Sequence, residues 1–303
     1  MSPQSPVTVV VLSWNRRDDT LACLASLAVA TYEPLSIVCV DNGSSDGSAD
    51  AVSEAFPGVQ VVRLPRNHGF AGGMNAGIAA ALKGGARLVL TLNNDMLVDP
   101  GFVEPLVDAL HEHPYAAAAC SQVLFADPPE RVWYAGARYR PRRGYQGRHL
   151  RYGERPLPPG TPPYETDRAC AGAMLVSRDA IARVGLFAEE LFAYAEDVDW
   201  SLRARSQGSP ILVVPASLVR HAVSASTGGE GSATTIYYDL RNGLTVAERR
   251  APLGRAGTAL RRLESLGAHV AQALLFSPHR REALGAVWLG WKHFRAGRLG
   301  PMR

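Results

Sequence analysis

Residues 7–45 read VTVVVLSWNRRDDTLACLASLAVATYEPLSIVCVDNGSS, which is a β-branched run, a longer stretch with helical spacing and a second β-branched run. The same alternation continues to residue 92. The pattern predicts strands at Val7–Ser13, Leu35–Val40, Val59–Leu64 and Arg87–Leu92, and helices near Asp18–Ala30, Ser48–Phe56 and Gly72–Lys83. This βαβαβαβ order predicts an α/β fold, with a mostly parallel central sheet flanked by helices.

The later part of the chain has a different pattern. Residues 138–163 are rich in Pro, Gly and Arg and have no apolar period, so they predict a long loop. A strand is expected at Ala169–Ser177 and a helix at Val198–Ser206. From Ser232 to the end the pattern is helical.

Composition and charge restrict the class of protein. No apolar run reaches the roughly 18 to 20 residues that span a bilayer, and the N-terminus lacks the features of a secretory signal, so a cytoplasmic protein is expected. The four cysteines are far apart without CxxC spacing, which favours reduced, buried thiols. Residues 241–303 carry a net charge of +9 and the remainder carries −5. The basic segment is a candidate surface for anionic partners, although no nucleic-acid partner is predicted.

The polar motifs of the first half lie where strands end. Parallel sheets bind ligands at the carboxyl ends of their strands, near the point where the strand order switches. The motifs are SWN (13–15), DNGSSDG (41–47), RNHG (66–69) and NND (93–95). We therefore expect one ligand site along this edge of the sheet.

Two of these motifs leave alternatives open. Asp41 opens a loop of Gly, Ser and Asp, which either only turns the chain or presents a carboxylate to a base N–H or a ribose hydroxyl. The segment NHGFAGGMNAG (67–77) lacks GxGxxG spacing and follows the third strand, which disfavours a nicotinamide oxidoreductase. Its glycines are expected to let a helix N-terminus approach a phosphate or ribose.

Carboxylates at two places suggest catalysis. Asp95 follows a buried strand, where an oxygen ligand suits Mg²⁺ or Mn²⁺ shared with a substrate phosphate. Glu196, Asp197 and Asp199 crowd the start of a predicted helix, which raises at least one pKa unless a cation or hydrogen bonds compensate. One of the three is expected to face a substrate hydroxyl, while the others cap the helix or pair with Arg203 and Arg205. His221 is a metal ligand only if the fold brings it to Asp95.

Together these segments resemble the family 2 glycosyltransferases with the GT-A fold, in particular the bacterial rhamnosyltransferase-like branch. The matching segments occur in the family's order over residues 7–242 and are VVVLSWNRRDDTLACLASL, VDNGSSDGSAD, NHGFAGGMNAG, LNNDM, CAGAMLVSRDA, GLFAEELFAYAEDVDWSLRARSQG, VRHAVSAS and YYDLRN. The NND segment stands where the family has DxD, with Asn at the first position.

The resemblance implies a role for each matching residue. Asp197 resembles the catalytic base, Asp95 and His221 the ligands of a divalent cation (Mg²⁺ or Mn²⁺), and Glu196 and Trp200 are expected at the acceptor together with loop 138–155. The expected nucleotide-sugar contacts are Ser13, Asn15, Asp41, Asn67, Gly69, Asn75, Asn93, Asn94 and Arg241. A catalytic domain at 1–240 is expected, with a nucleotide-sugar half at 1–113 and an acceptor and base half at 114–240, followed by a basic helical extension at 241–303.

The implied reaction is an inverting hexosyl transfer from a nucleotide diphosphate sugar to an acceptor hydroxyl, because one base and one metal suffice for attack opposite the leaving group. The branch favours rhamnose from dTDP-rhamnose. A UDP-hexose transferase acting on a small natural product or a lipid-linked glycan is the alternative, and a non-catalytic nucleotide-sugar binding protein is a remote one.

The C-terminal segment has its own alternatives. In Glu282–Ala296, apolar and aromatic residues recur at helical spacing beside Arg281, Lys292 and Arg295. This pattern suits a helix lying on an anionic membrane, at its inner face, and it equally suits a helix packed on the catalytic domain or on a second subunit of a homodimer.

Overall fold

The structure is a computed structural model that describes residues 5–139, 148–222 and 232–302. Its strands are β1 (Val7–Ser13), β2 (Leu35–Asp41), β3 (Gln60–Arg63), β4 (Leu88–Asn93), β5 (Met96–Val98), β6 (Ala118–Phe125), β7 (Val132–Tyr134), β8 (Ala137–Arg138), β9 (Arg148–His149), β10 (Tyr164–Thr166), β11 (Ala173–Ser177) and β12 (Ile211–His221). Its helices are α1 (Arg17–Leu27), α2 (Ser48–Ala55), α3 (Gly69–Lys83), α4 (Val103–Glu112), α5 (Arg178–Val184), α6 (Glu196–Ser206), α7 (Ala233–Arg250), α8 (Arg255–Leu275) and α9 (Arg280–Arg295).

One mixed, mostly parallel sheet with flanking helices forms the centre of the molecule. Its strand order is β10-β12-β6-β11-β4-β1-β2-β3. Strands β3, β2, β1 and β4 are parallel, and β11 is antiparallel to both β4 and β6. The chain adds β2 and β3 on one side of β1 and β4 on the other, so the order switches between β1 and β4. The predicted α/β architecture is confirmed, and Ser13 and Asn93 lie at the switch.

Glycines in α3 allow this helix to pack closely on the sheet. A Cβ at Gly73 would lie 2.5 Å from the Leu12 side chain, and one at Gly77 would lie 2.2 Å from the Val10 side chain. The helix already begins at Gly69, earlier than predicted. The space at Gly73 and Gly77 is therefore filled by β1, and the approach of a phosphate or ribose to the helix N-terminus stays a prediction.

Short strands lie in and beside the predicted loop 138–163: β9 and the end of β8 fall within it, and β10 follows it. Strands β8 and β9 pair with each other and β10 pairs with β12, while residues 140–147 lie outside the described residues. The four cysteines are free thiols in the core, as predicted.

The C-terminal helices pack together around a second apolar core. Helix α9 contributes Ala283, Ala286 and Val287 to a cluster that includes Ile236 and Leu240 of α7. Trp291 and Phe294 pack against the same cluster. This side of α9 is therefore packed on other helices of the chain, as one of the alternatives predicted. The expected domain boundary at residue 240 falls inside the continuous helix α7, and the division into domains stays a prediction. None of the helices within the described residues is long and apolar enough to cross a membrane.

Candidate active site

The antiparallel pairing of β5 with β12 brings Asp95 and His221 together. His221 ends β12 opposite Met96, so Asp95 lies next to it at the turn between β4 and β5. The Asp95 carbonyl accepts a hydrogen bond from the Ala222 N–H at 2.9 Å, which fixes the two segments to each other. Asp95 Oδ1 then lies 3.3 Å from His221 Nε2. The condition set by the sequence, that these two residues converge, is met.

The chemistry of this pair suits a divalent cation. Both side chains are about nine-tenths buried. Asp95 Oδ1 and His221 Nδ1 are buried atoms without a hydrogen-bond partner among the described residues, and such atoms in a native fold call for a ligand. Carboxylate oxygen and imidazole nitrogen are both ligands of divalent metals. No group of three or more His, Cys, Asp or Glu side chains in the described parts of the chain is arranged to hold a metal ion.

Helix α1 joins the ends of β1 and β4. The Thr20 hydroxyl lies 2.9 Å from the Ser13 hydroxyl and accepts a hydrogen bond from Asn94 Nδ2 at 2.9 Å. Asn93 is half-buried, and its amide packs against Gly172, where a Cβ would lie 2.9 Å from Asn93 Cγ. Ser13, Asn93 and Asn94 thus lie together at the switch point, as the motif positions predicted.

The first two loops of the sheet edge bind each other. The Asn15 N–H donates to Ser44 Oγ at 2.8 Å, and Asn15 Oδ1 accepts from the Ser45 N–H at 2.9 Å. Asp41 is buried, and its Oδ1 accepts a hydrogen bond from the Ser44 N–H at 3.2 Å. This carboxylate therefore shapes the turn, which supports the structural alternative and leaves its contact with a nucleotide a prediction.

Asn42 connects the second loop to the third. Its Nδ2 donates to Asn67 Oδ1 (3.2 Å) and to the Gly69 carbonyl (3.0 Å), while its Oδ1 accepts from the His68 N–H (2.9 Å). Asn67 Oδ1 also accepts from the Gly69 N–H at 2.7 Å. The carbonyl oxygen of the Asn67 side chain is therefore used inside the protein.

Gly69 and Asn75 hold the segment that precedes the predicted base. Gly69 has φ +74°, and a Cβ there would lie 2.2 Å from the Phe192 carbonyl oxygen. Asn75 is buried, accepts from the Phe187 N–H at 3.0 Å and donates to the Phe187 carbonyl at 2.9 Å. Both residues therefore pack and hydrogen-bond against residues 187–192, which supports a structural role, and their expected nucleotide contacts stay predictions.

The carboxylates at the start of α6 separate by environment. Glu196 is fully buried, and burial together with the neighbouring Asp197 raises its pKa to about 8. Its Oε2 has no hydrogen-bond partner among the described residues. Asp199 pairs with Arg203 as predicted and also with Arg250. Arg205 instead pairs with Asp167.

Asp197 belongs to a network that reaches His221. Its Oδ2 lies 3.4 Å from Arg168 Nε, and Arg168 Nη2 lies 2.6 Å from His149 Nε2. Burial and the adjacent Arg168 lower the pKa of His149 to about 4, so this imidazole is neutral. His149 Nδ1 donates to the Trp133 carbonyl at 2.9 Å, which leaves Nε2 to accept from the guanidinium. The Trp133 ring packs against the His221 ring at 4.6 Å between centroids.

Three residues immediately before α6 have left-handed backbone conformations, which costs about 1 to 3 kcal/mol each for residues other than glycine. They are Phe192 (φ 69°), Tyr194 (φ 64°) and Ala195 (φ 64°). Asn242 of α7 donates to the carbonyls of Leu191, Ala193 and Tyr194 at 2.7 to 2.9 Å. The α7 side chain therefore fixes the turn from which Asp197 is presented.

Arg241 supports the same turn from inside the protein. It is fully buried and donates to the carbonyls of Leu191 (3.1 Å) and Gly300 (2.6 Å) and to the Tyr237 hydroxyl (2.9 Å). Its donors are engaged and no part of the side chain is exposed, which supports a structural role, and its expected contact with the diphosphate or the acceptor stays a prediction.

Trp200 is a core residue. It is buried, its indole N–H donates to the Gly185 carbonyl at 2.9 Å, and its ring lies beside Phe187. Residue 200 therefore lies on the face of α6 that packs in the main core, which supports a structural role, and its expected acceptor contact stays a prediction.

Sequence reasoning missed Thr20, Asn42, His149, Arg168 and Asn242. Asn42 and Asn242 lie within the quoted motifs, directly after Asp41 and Arg241, and this position could have identified them from the sequence. Arg168 and His149 lie in a stretch of no recognisable pattern, and their meaning depends on contacts that only the fold creates.

The sequence of this chain is similar to those of known proteins. The model of Glycosyl transferase family 2 matches residues 8–185. N-acetylglucosaminyl-diphospho-decaprenol L-rhamnosyltransferase of Mycobacterium tuberculosis is 32% identical over 267 residues, covering 82% of this chain and 86% of that protein. The dTDP-rhamnosyl transferase RfbF of Shigella flexneri is 23% identical over 187 residues, covering 62% of this chain and 60% of that protein.

Solved structures show the same fold at low identity. GalNAc-T7 with UDP, GalNAc and Mn²⁺ has a TM-score of 0.66 and 16% identity, covering 98% of this chain and 57% of that one. Mannosyltransferase PcManGT of Pyrobaculum calidifontis with GDP-Man and Mn²⁺ has a TM-score of 0.56 and 17% identity, covering 94% of this chain and 74% of that one. These structures establish the GT-A fold.

Proposed function

This chain belongs to glycosyl transferase family 2, a family of glycosyltransferase enzymes, and from this we propose that it is an inverting rhamnosyltransferase that uses dTDP-rhamnose. The donor is inferred from the two curated relatives, both of which are named as rhamnosyltransferases and one of which is named for dTDP-rhamnose. The acceptor that we propose is a hydroxyl of a lipid-linked glycan, because the M. tuberculosis relative is named for a sugar diphosphate of decaprenol.

The observation that supports this proposal most directly is the approach of Asp95 to His221, with 3.3 Å between Oδ1 and Nε2, from segments 126 residues apart. These two side chains would hold a Mg²⁺ or Mn²⁺ ion. Such an ion would supply positive charge to offset the negative charge of the departing nucleotide diphosphate.

Asp197 is the proposed base. Glu196 is largely protonated at neutral pH, since its pKa lies at about 8, and a protonated carboxyl is a poor proton acceptor. Asp197 accepts the Val198 N–H at Oδ1 and lies beside the Arg168 cation, which orients its carboxylate and compensates part of the charge. Attack by the acceptor oxygen opposite the leaving group inverts the anomeric centre and requires one base.

The turn before α6 positions this carboxylate. Asn242 and Gly69 restrain the backbone from Leu191 to Tyr194. Holding a catalytic base in position in this way lowers the entropic part of the activation barrier. The segment YYDLRN therefore contributes to catalysis through backbone geometry.

The test compares nucleotide release from dTDP-rhamnose, UDP-glucose and GDP-mannose, with a polyprenyl diphosphate N-acetylglucosamine acceptor and Mn²⁺. We expect turnover with dTDP-rhamnose and a loss of at least about 100-fold in Asp197→Asn, the range that a general base contributes. Donor binding by this variant should stay within about threefold. Asp18→Asn is the control, since that side chain is 86% exposed at the surface.

Two results would overturn the assignment. Full activity in Asp197→Asn excludes this carboxylate as the base, and retention of the anomeric configuration, read from the one-bond coupling between C1 and H1 of the transferred sugar, excludes the single-base mechanism. Turnover with UDP-glucose alone would support a glycosyltransferase activity but refute dTDP-rhamnose as the donor.

A further inference from the structure

Helix α8 buries polar side chains and exposes apolar ones, which is the reverse of an ordinary surface helix. The residues that it buries are Arg261, Ser265, His269 and Ala273, three of them polar. Arg261 donates from Nη1 to the Ala247 carbonyl (2.9 Å) and from Nη2 to the Ala251 carbonyl (3.0 Å), while its buried Nε has no hydrogen-bond partner among the described residues. Apolar side chains therefore occupy much of the solvent side, the opposite of what folding alone selects.

These side chains and their neighbours form an apolar strip, which we define as Leu260, Leu263, Leu274, Leu275, Phe276 and Trp288. Each is between 42% and 73% exposed. Gly267 and Ala271, also exposed, continue the strip between Leu263 and Leu274 at the spacing of successive helical turns. Contiguous exposed apolar surface of this kind marks a contact with a partner or a membrane.

The charges around the strip favour a lipid surface. Arg255, Arg280, Arg281, Lys292 and Arg295 form no ion pair with another described residue. The Lys292 ammonium lies over the exposed Trp288 ring at 5.0 Å, a pairing suited to the boundary between headgroups and acyl chains. An isologous dimer through the strip would bring these cations of two copies towards each other, with Glu264 and Glu282 as the nearby acids in sequence.

We propose that the α8–α9 hairpin docks the protein on a bilayer that contains anionic phospholipid, with the apolar strip in the interface and the five cations on the headgroups. Helix α9 has two functions in this arrangement, since its Val287 side packs on α7 and its Trp288 side faces lipid. The proposal rests on the helices and not on the donor or acceptor.

Cosedimentation with vesicles tests it, using the full chain and vesicles of phosphatidylcholine with or without 30% phosphatidylglycerol. We expect binding to the anionic vesicles. Phe276→Ser should weaken this binding at least about tenfold, because it removes an aromatic side chain that would be buried in the bilayer. Arg280→Gln with Arg281→Gln should weaken it by about fivefold per charge. Tyr115→Ser is the matched control, because Tyr115 is 81% exposed and far from the hairpin in sequence, and its binding should equal that of the unaltered chain.

Circular dichroism confirms that each variant is folded, and Leu263→Ser provides a second apolar substitution if Phe276→Ser is not. Equal binding to neutral and anionic vesicles, or no effect of Phe276→Ser and Leu263→Ser, would overturn the proposal. So would a dimer in sedimentation equilibrium that Leu263→Ser dissociates while vesicle binding is absent, since the strip would then belong to a second copy. Vesicle binding without any glycosyl transfer would refute the proposed function alone.

Discussion

Replacing Arg241 by methionine distinguishes support of the fold from contact with the donor. The guanidinium is buried and donates to Leu191, Gly300 and Tyr237, while its Nε donates to Asn242 Oδ1 at 2.8 Å. Methionine fills a similar volume without any donor. The Leu191 carbonyl keeps its bond from Asn242, whereas the Gly300 carbonyl loses the Arg241 bond.

The expected loss of stability follows from these four hydrogen bonds. Each contributes about 1 kcal/mol net, and somewhat more when the donor is charged. Burial lowers the pKa of Arg241, so removing the cation recovers part of its desolvation cost. We therefore expect a net loss of about 3 kcal/mol in the free energy of unfolding. At roughly 2 to 4 °C per kcal/mol for a large domain, the thermal midpoint should fall by about 6 to 12 °C.

Thermal unfolding by far-ultraviolet circular dichroism measures the midpoint, and isothermal titration with dTDP-rhamnose measures donor affinity on the folded variant. We expect the dissociation constant to change by less than about twofold. Arg249→Met is the control on the same helix, because Arg249 forms only a half-exposed ion pair with Glu190, worth at most about 1 kcal/mol. An unchanged midpoint together with tenfold weaker donor binding would refute this account and make Arg241 a ligand of the diphosphate.

Three further predictions concern the site. Asp95→Asn should abolish the rise in thermal midpoint on adding Mn²⁺ and reduce turnover at least about 100-fold; an intact Mn²⁺ response would exclude Asp95 as a ligand. The folded protein binds the Glu196 proton more tightly than the unfolded chain, so stability falls as pH rises from about 4.5 to about 8, and Glu196→Gln should unfold at an increasingly higher temperature than the unaltered chain across this window. The same difference in thermal midpoint between Glu196→Gln and the unaltered chain at pH 5 and at pH 9 would contradict this prediction. Gly69→Ala should be far more destabilising than Gly47→Ala, because both glycines have positive φ but only a Cβ at residue 69 meets another atom, the Phe192 oxygen at 2.2 Å; urea denaturation of the pair checks this, and equal losses would count against the close approach.

The sequence by itself determined the sheet and the place of the site. Alternating β-branched runs and helical spacing set β1 to β4 within one or two residues of the predicted bounds, because apolar periodicity is a local property. The motif positions put Ser13, Asn93 and Asn94 at the switch between β1 and β4, since the ends of parallel strands meet at one edge. Crowding of carboxylates also foretold a raised pKa, which falls on Glu196.

Only the tertiary structure decided which polar side chains remain available. Arg241, Asn75 and Trp200 lie in the motifs that carry the family resemblance. Their donors are nevertheless engaged inside the protein, by backbone carbonyls of residues 185, 187, 191 and 300 and by side-chain oxygens of residues 189, 237 and 242. A motif records residue type and spacing but not the partner across the fold. The pairing of β5 with β12, whose partner residues are 121 to 125 positions apart in sequence, brought Asp95 to His221. Packing alone revealed that α8 exposes four of its five leucines. Long-range contacts of this kind depend on the whole chain, which local pattern does not contain.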